Sequence, residues 1–264
     1  MTCKRTANLL VWPLLASLYL APAATAAKQA EGEKTFVLKQ NGDTYGDTTT
    51  YINKHALKMV VDGSKVTLLA TAPSWRVVLF NDRNRTAYSS SYDDWLLHVP
   101  ETTYAGHDWT RYPLIVQPEG PQVPRLGRMA VHCKVLGVLK EGGLKPSKRI
   151  TNGHYLVLKN LPVAFQACAI LEKALSCPGF PDGLPLEFYN LRKAGKIEAF
   201  KSDLGGTEHF FATKNIEEKT VPDSFFQYPH GYKPERREAE VLNDDRLKKQ
   251  MNNLARQLMD GDEK

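Results

Sequence analysis

Residues 51–95 read YINKHALKMVVDGSKVTLLATAPSWRVVLFNDRNRTAYSSSYDDW, and this stretch decides the fold class. Asp62-Gly63 sits between two apolar runs, LKMVV and VTLLA, which is a strong short-range hairpin signal. Trp75–Phe80 is a further strand, and Asn81–Arg85 is its turn. Thr86–Ser91 returns alongside it. Working outward, Lys34–Gln40 alternates enough to be a strand, Asn41-Gly42-Asp43 is a turn, and Asp47–Asn53 is a Thr-rich strand. Residues 34–91 therefore read as a meander of about six strands. Their links are too short for parallel crossovers, so the pairing is expected to be antiparallel.

Further along, Tyr92–His98 reads as a short helix, and residues 100–126 form a Pro-rich connector with one strand near Tyr112–Val116. Arg128–Lys140 reads as one or two strands broken near Gly137, and His154–Leu158 as another. Pro162 opens VAFQACAILEKALSC, whose apolar residues recur at helical spacing around a wide face. The proline suits a first turn, and Pro178-Gly179 stops the helix. Leu186–Leu191, Lys196–Phe200 and Glu208–Lys214 read as strands, and Glu235–Asp260 as a polar helix with one narrow stripe, Leu247, Met251, Leu254 and Leu258. Strands dominate. The expected class is mainly β (α+β), a curved antiparallel sheet whose exposed face is covered by the helix Pro162–Leu175.

The first 26 residues carry Lys4-Arg5, an apolar stretch from Leu9 to Leu20, and Ala24-Thr25-Ala26. That is the order of a secretory signal peptide, and the apolar run is too short to span a bilayer. The expected organisation is a signal peptide at 1–26, an incomplete β-barrel domain at 27–234 and a polar helical tail at 235–264. Export to the periplasm or the extracellular space follows. With 42% hydrophobic and 24% charged residues the chain is not disordered. The net charge of +6 is spread among acidic neighbours rather than gathered in a stripe, so nucleic acid is not an expected partner. A solvated face is the plain reading of this charge, with peripheral contact to an anionic membrane surface next; the apolar stripe of the terminal helix offers packing on its own domain or contact with an envelope protein.

No motif names a reaction, and no cofactor or metal is expected. The seven histidines are scattered and show no short ligand spacing. His132 and Cys133, adjacent in a strand, point to opposite faces. Asp93-Asp94 and Asp244-Asp245 read as solvated helix positions, Ser89–Ser91 has no nucleophile-elbow glycines, and Gly205-Gly206 is a turn. After the signal peptide three cysteines remain. In an oxidising compartment Cys168 and Cys177 are the candidate pair, with Cys133 bonded to either, or three unpaired thiols, as the alternatives.

The quoted stretch resembles the repeating hairpins of the periplasmic lipoprotein-carrier superfamily (LolA/LolB-like), in which an apolar run, a charged turn and a tyrosine succeed one another. Here these are Val77–Phe80, Asn81–Arg85 and Tyr88. Gly183–Leu186 and the closing Val221–Phe226, Pro229, Gly231 and Tyr232 are similar to a related group of secreted proteins of unknown function. The resemblance implies an unclosed barrel of about eleven antiparallel strands around one or two helices, holding an acyl chain or a lipoprotein anchor in an apolar cavity. The residues to line it are Met59, Val61, Leu68, Val77 and Leu79 on the hairpins, with Phe165, Ile170 and Leu171 on the helix. The same residues would serve a filled core. The expected function is thus noncatalytic binding of a lipid or lipoprotein acyl chain. An envelope-associated hydrolase, or an interaction protein using the C-terminal helix, are the alternatives. The Pro-rich connector and the polar tail depart from the carrier pattern.

Overall fold

The computed structural model describes residues 32–42, 44–97, 114–147, 150, 152–177, 183–191 and 206–242. The expected signal segment, most of the Pro-rich connector, the expected strand at Lys196–Phe200 and the tail beyond Leu242 lie outside the described residues. The chain is mainly β. Among the described residues fourteen strands join in one open sheet, more than the eleven expected, and all pairings but one are antiparallel.

The first six strands follow the sequence reading closely: β1 (Glu33–Gly42), β2 (Gly46–Ile52), β3 (Ala56–Val61), β4 (Val66–Thr71), β5 (Arg76–Asn81) and β6 (Thr86–Ser90). From β3 to β5 six-residue strands alternate with four-residue turns at 62–65, 72–75 and 82–85, a ten-residue period that ends on the five-residue β6. Each turn ends on a left-handed residue: Lys65 (φ 63°), Trp75 (φ 51°) and Arg85 (φ 58°). An even period preserves side-chain parity, so every strand delivers its apolar set to the same face.

Next come α1 (Tyr92–Leu97), then β7 (Leu114–Pro118), β8 (Val123–Arg125), β9 (Arg128–Lys140), β10 (Gly143–Lys145), β11 (Gly153–Lys159), α2 (Phe165–Ala174), β12 (Gly183–Leu191), β13 (Thr207–Val221), β14 (Lys233–Pro234) and α3 (Glu238–Leu242). The sheet runs β10-β9-β11-β12-β13-β1-β2-β3-β4-β5-β6-β14, with β7 and β8 both on β9. The β9 strand is continuous where a break was expected. Gly137 (φ +151°) keeps it so, because a Cβ there would meet Lys145 O at 2.2 Å. The chain also runs through Lys214 to Val221 as strand, although TKNIEEKT is strongly polar. Its charges are paired: Lys214 with Asp47 at 2.8 Å, Lys219 with Glu217 at 3.1 Å, and Glu218 with both Lys34 and Arg128.

The α2 helix begins at Phe165, not at Pro162 as its spacing suggested. Val163 N–H donates to Leu161 O at 2.8 Å, and Ala164 N–H to Asn53 O at 3.2 Å, so the segment before Phe165 is tied to the β2–β3 loop. The helix buries Ala167, Cys168, Ile170, Leu171 and Ala174, the apolar face read from sequence, and packs on β3 and β12. The α1 helix packs on α2 and β5, and the wholly buried Trp95 donates from Nε1 to Ile170 O at 3.4 Å.

A second apolar cluster of Leu69, Val78, Phe80, Val221 and Phe226 lies apart from the main core. It is covered by a 3-10 turn at Asp223–Phe226 and the strap that follows. Tyr228 Oη donates to Arg76 O at 2.7 Å, the Phe80 and Tyr232 rings meet edge-on at 5.5 Å, and β14 adds a short parallel pairing to β6. Among the described residues no helix is long and apolar enough to cross a membrane.

Candidate functional site

Two places in the described residues concentrate chemistry, and they lie on opposite faces of the sheet. The first is the face that meets α2. Cross-strand register divides it into rows. One row is Phe36, Ile52, Leu57, Ala70, Val77 and, at its β6 end, the buried Ser90. The next is Leu38, Thr50, Met59, Leu68, Leu79 and Tyr88. The third is Gln40, Thr48, Val61, Val66, Asn81 and Thr86. The rows thus grade from apolar to polar along the strands.

The polar row is closely bonded. Gln40 Nε2 donates to Thr213 Oγ1 at 3.1 Å, and Thr50 Oγ1 donates to Gln40 Oε1 at 2.9 Å. Asn81 Nδ2 donates to Val241 O of α3 at 3.0 Å, and Tyr45 Oη to Glu238 Oε1 at 2.8 Å. Thr48 Oγ1 is the exception: it is buried with no hydrogen-bond partner. Leaving such a group unsatisfied costs about 1–3 kcal/mol.

Of the residues expected to line a cavity, Met59, Val61, Leu68, Val77 and Leu79 all stand on this face, and all belong to one buried cluster with Ile170 and Leu171 of α2. Phe165 does not join that cluster: at the start of α2 it is 50% exposed. A buried polar group sits beside the helix as well. Tyr155, wholly buried on β11, donates from Oη to Glu172 Oε1 at 3.1 Å. Burial, then the Glu172 charge, holds the Tyr155 hydroxyl well above the ordinary phenol range.

The expected Cys168–Cys177 bond is absent: Cys133, Cys168 and Cys177 are free thiols. Cys168 sits in the body of α2, whereas past the helix end Ser176 is left-handed (φ 52°) and Cys177 N–H turns back to Glu172 O at 3.0 Å. Cys177 Sγ instead donates to the Glu172 carbonyl at 3.3 Å, and burial pushes the Cys168 thiol up to about 12.

The second place carries no sequence motif. Because Tyr155 faces α2, its neighbour His154 points the other way. His154 pairs directly with Tyr189 and lies one diagonal step from His132. The rings of His132 and His154 stack at 5.0 Å and 16°, with His132 Nε2 3.0 Å from His154 Nδ1. Between β7 and β8 the chain leaves the ladder around Gly120 (φ +70°), and Glu119 N–H donates to His132 O at 2.8 Å. This brings Glu119 Oε2 to 3.9 Å from His154 Nδ1 and 4.0 Å from His132 Nδ1. Tyr189 stacks on the other side of His154 at 5.2 Å. Glu187, on the same face, binds Arg125 Nη2 at 3.0 Å and His209 Nδ1 at 3.1 Å. Burial, then the proximity of His132, lowers the basicity of His154, partly offset by Glu119.

A scan against protein-family models gives no match, and neither does a comparison with curated proteins. Among solved structures the chain is similar to an uncharacterized conserved protein from Thermus thermophilus, at 10% identity and a TM-score of 0.32, over 77% of this chain and 90% of that one.

Proposed function

We propose that this is an exported, noncatalytic protein that holds an amphiphile, a lipid or a lipoprotein acyl chain, between the sheet and α2, in the manner of the half-open barrels that its hairpins resemble. The observation that supports this is the grading of the α2-facing rows. Two rows of mostly apolar side chains suit a hydrocarbon chain, whose burial is worth about 0.8 kcal/mol per methylene. The third row offers amide and hydroxyl groups suited to an ester or carboxyl head. Its one buried unpaired oxygen, Thr48 Oγ1, is available to such a head. A closed structural core gains nothing from that oxygen.

The test is to purify the chain from an expressing bacterium and analyse co-extracted lipids by native mass spectrometry. A stoichiometric lipid, exchangeable for a fluorescent fatty acid, is the expected result. Thr48→Val, close in volume to threonine, weakens uptake while leaving the fold intact. A lipid-free chain that takes up no fatty acid from solution or from phospholipid vesicles overturns the proposal.

A further inference from the structure

We infer that Glu119, His132 and His154 form a binding site for a divalent transition metal of the zinc class, on the sheet face opposite to the α2-facing rows. One ligand atom from each of the three can be chosen so that all lie within 4.8 Å of one another. Two of the edges meet at His154 Nδ1: 3.0 Å to His132 Nε2 and 3.9 Å to Glu119 Oε2. Zinc bonds of about 2.0–2.2 Å to nitrogen and oxygen in a tetrahedron put neighbouring ligands roughly 3.3–3.5 Å apart, so these edges bracket the required size. The histidines are fixed by strand pairing and by the Tyr189 stack. Glu119 is anchored through its backbone, while its side chain is 47% exposed and free to rotate the remaining few tenths of an ångström.

The donor chemistry agrees. Two imidazoles and one carboxylate favour zinc-class ions over calcium or magnesium, which prefer oxygen alone. Three protein ligands leave a fourth position for water or an exogenous group, as in open rather than closed zinc sites.

The experiment uses the purified full chain, stripped with EDTA and titrated with Zn2+ by calorimetry and with Co2+ by visible spectroscopy. One ion per chain is expected, with the intense visible bands of four-coordinate Co2+ and a rise in melting temperature. Glu119→Gln and His132→Gln should each weaken binding by more than the roughly 10–100-fold caused by losing an outer-shell partner. His55→Ala, remote and exposed, should change nothing. Glu119→Gln alters an exposed side chain, and unfolding of each variant in EDTA confirms that it is folded. Absence of saturable binding, or binding unchanged in the Glu119→Gln/His132→Gln double variant, overturns the inference and leaves a hydrogen-bonded histidine pair.

Discussion

Replacing Tyr155 with phenylalanine removes one oxygen and little else. The ring keeps its edge-on contacts with Phe188 and Phe211, both at 6.4 Å. What is lost is the 3.1 Å hydrogen bond from Oη to Glu172 Oε1, with the hydroxyl's weaker contact to the Cys177 thiol, in a site with no exposure of the tyrosine. Hydrogen bonds to charged groups contribute about 1.5–3 kcal/mol. Taking about 2 kcal/mol, the folded-to-unfolded ratio falls roughly 30-fold. With a urea m-value of about 2–3 kcal/mol/M the midpoint falls by roughly 0.7–1 M. In a Glu172→Gln background the same change should cost only about 1 kcal/mol, the range of a neutral pair. The pH dependence gives a second arm. The hydroxyl is held well above its ordinary value in the folded chain, so its contribution is complete below pH ~10, where the unfolded tyrosine keeps its proton. It declines as pH rises beyond that point, and the gap between wild type and variant narrows. Urea unfolding followed by tryptophan fluorescence at pH 7 and at pH 10.5 measures both arms. A loss below 0.5 kcal/mol at pH 7, with no dependence on residue 172, would mean that this buried hydrogen bond contributes nothing to stability.

Other outcomes follow from the same geometry. Thr48→Val removes a buried unpaired hydroxyl and should stabilise the ligand-free chain by about 1 kcal/mol, measured by denaturant midpoint; destabilisation by that amount would mean the hydroxyl has a partner. Gly137→Ala forces a Cβ to within 2.2 Å of Lys145 O and should cost well over 1 kcal/mol, read as a drop in melting temperature. Arg125→Ala leaves buried Glu187 with His209 alone and should cost about 2 kcal/mol, less than a fully buried pair because Arg125 is 40% exposed. Cys168, buried and with its thiol pushed up to about 12, should resist iodoacetamide at pH 8 until the chain unfolds, and intact mass should show no two-hydrogen deficit; fast native labelling contradicts this.

The meander was legible because local signals agree with the global pairing. Asp62-Gly63 and the charged turn Asn81–Arg85 punctuate runs of even length, so alternation survives from β3 to β6. The apolar spacing of α2 was legible too, but its start was not. Ala164 bonds to Asn53, over a hundred residues away, and nothing local reports that. The polar end of β13 escaped notice because its charges are satisfied by Lys34, Asp47 and Arg128, which the register alone brings near. The same reason hid the histidine site. Glu119, His132 and His154 stand on β9 and its two flanks, and their spacing carries no local motif. Only the pairing of Lys134 with His154 places the two histidines diagonally on one face. The excursion Pro118-Glu119-Gly120-Pro121 was the one available sign that the edge of β9 departs from regular strand.

The two residues of β14 have a consequence larger than their length. Lys233 N–H and Glu235 N–H donate to Arg85 O and Ala87 O at 2.7 and 2.8 Å, occupying carbonyls that β6 would otherwise present to solution. Proline at 234 then offers no donor of its own for another chain to extend. The C-terminal strap therefore acts as a stopper on a long ladder of aromatic and β-branched strands. A protease cut near His230 would uncork it, and the clipped molecules would be primed to add onto one another strand by strand.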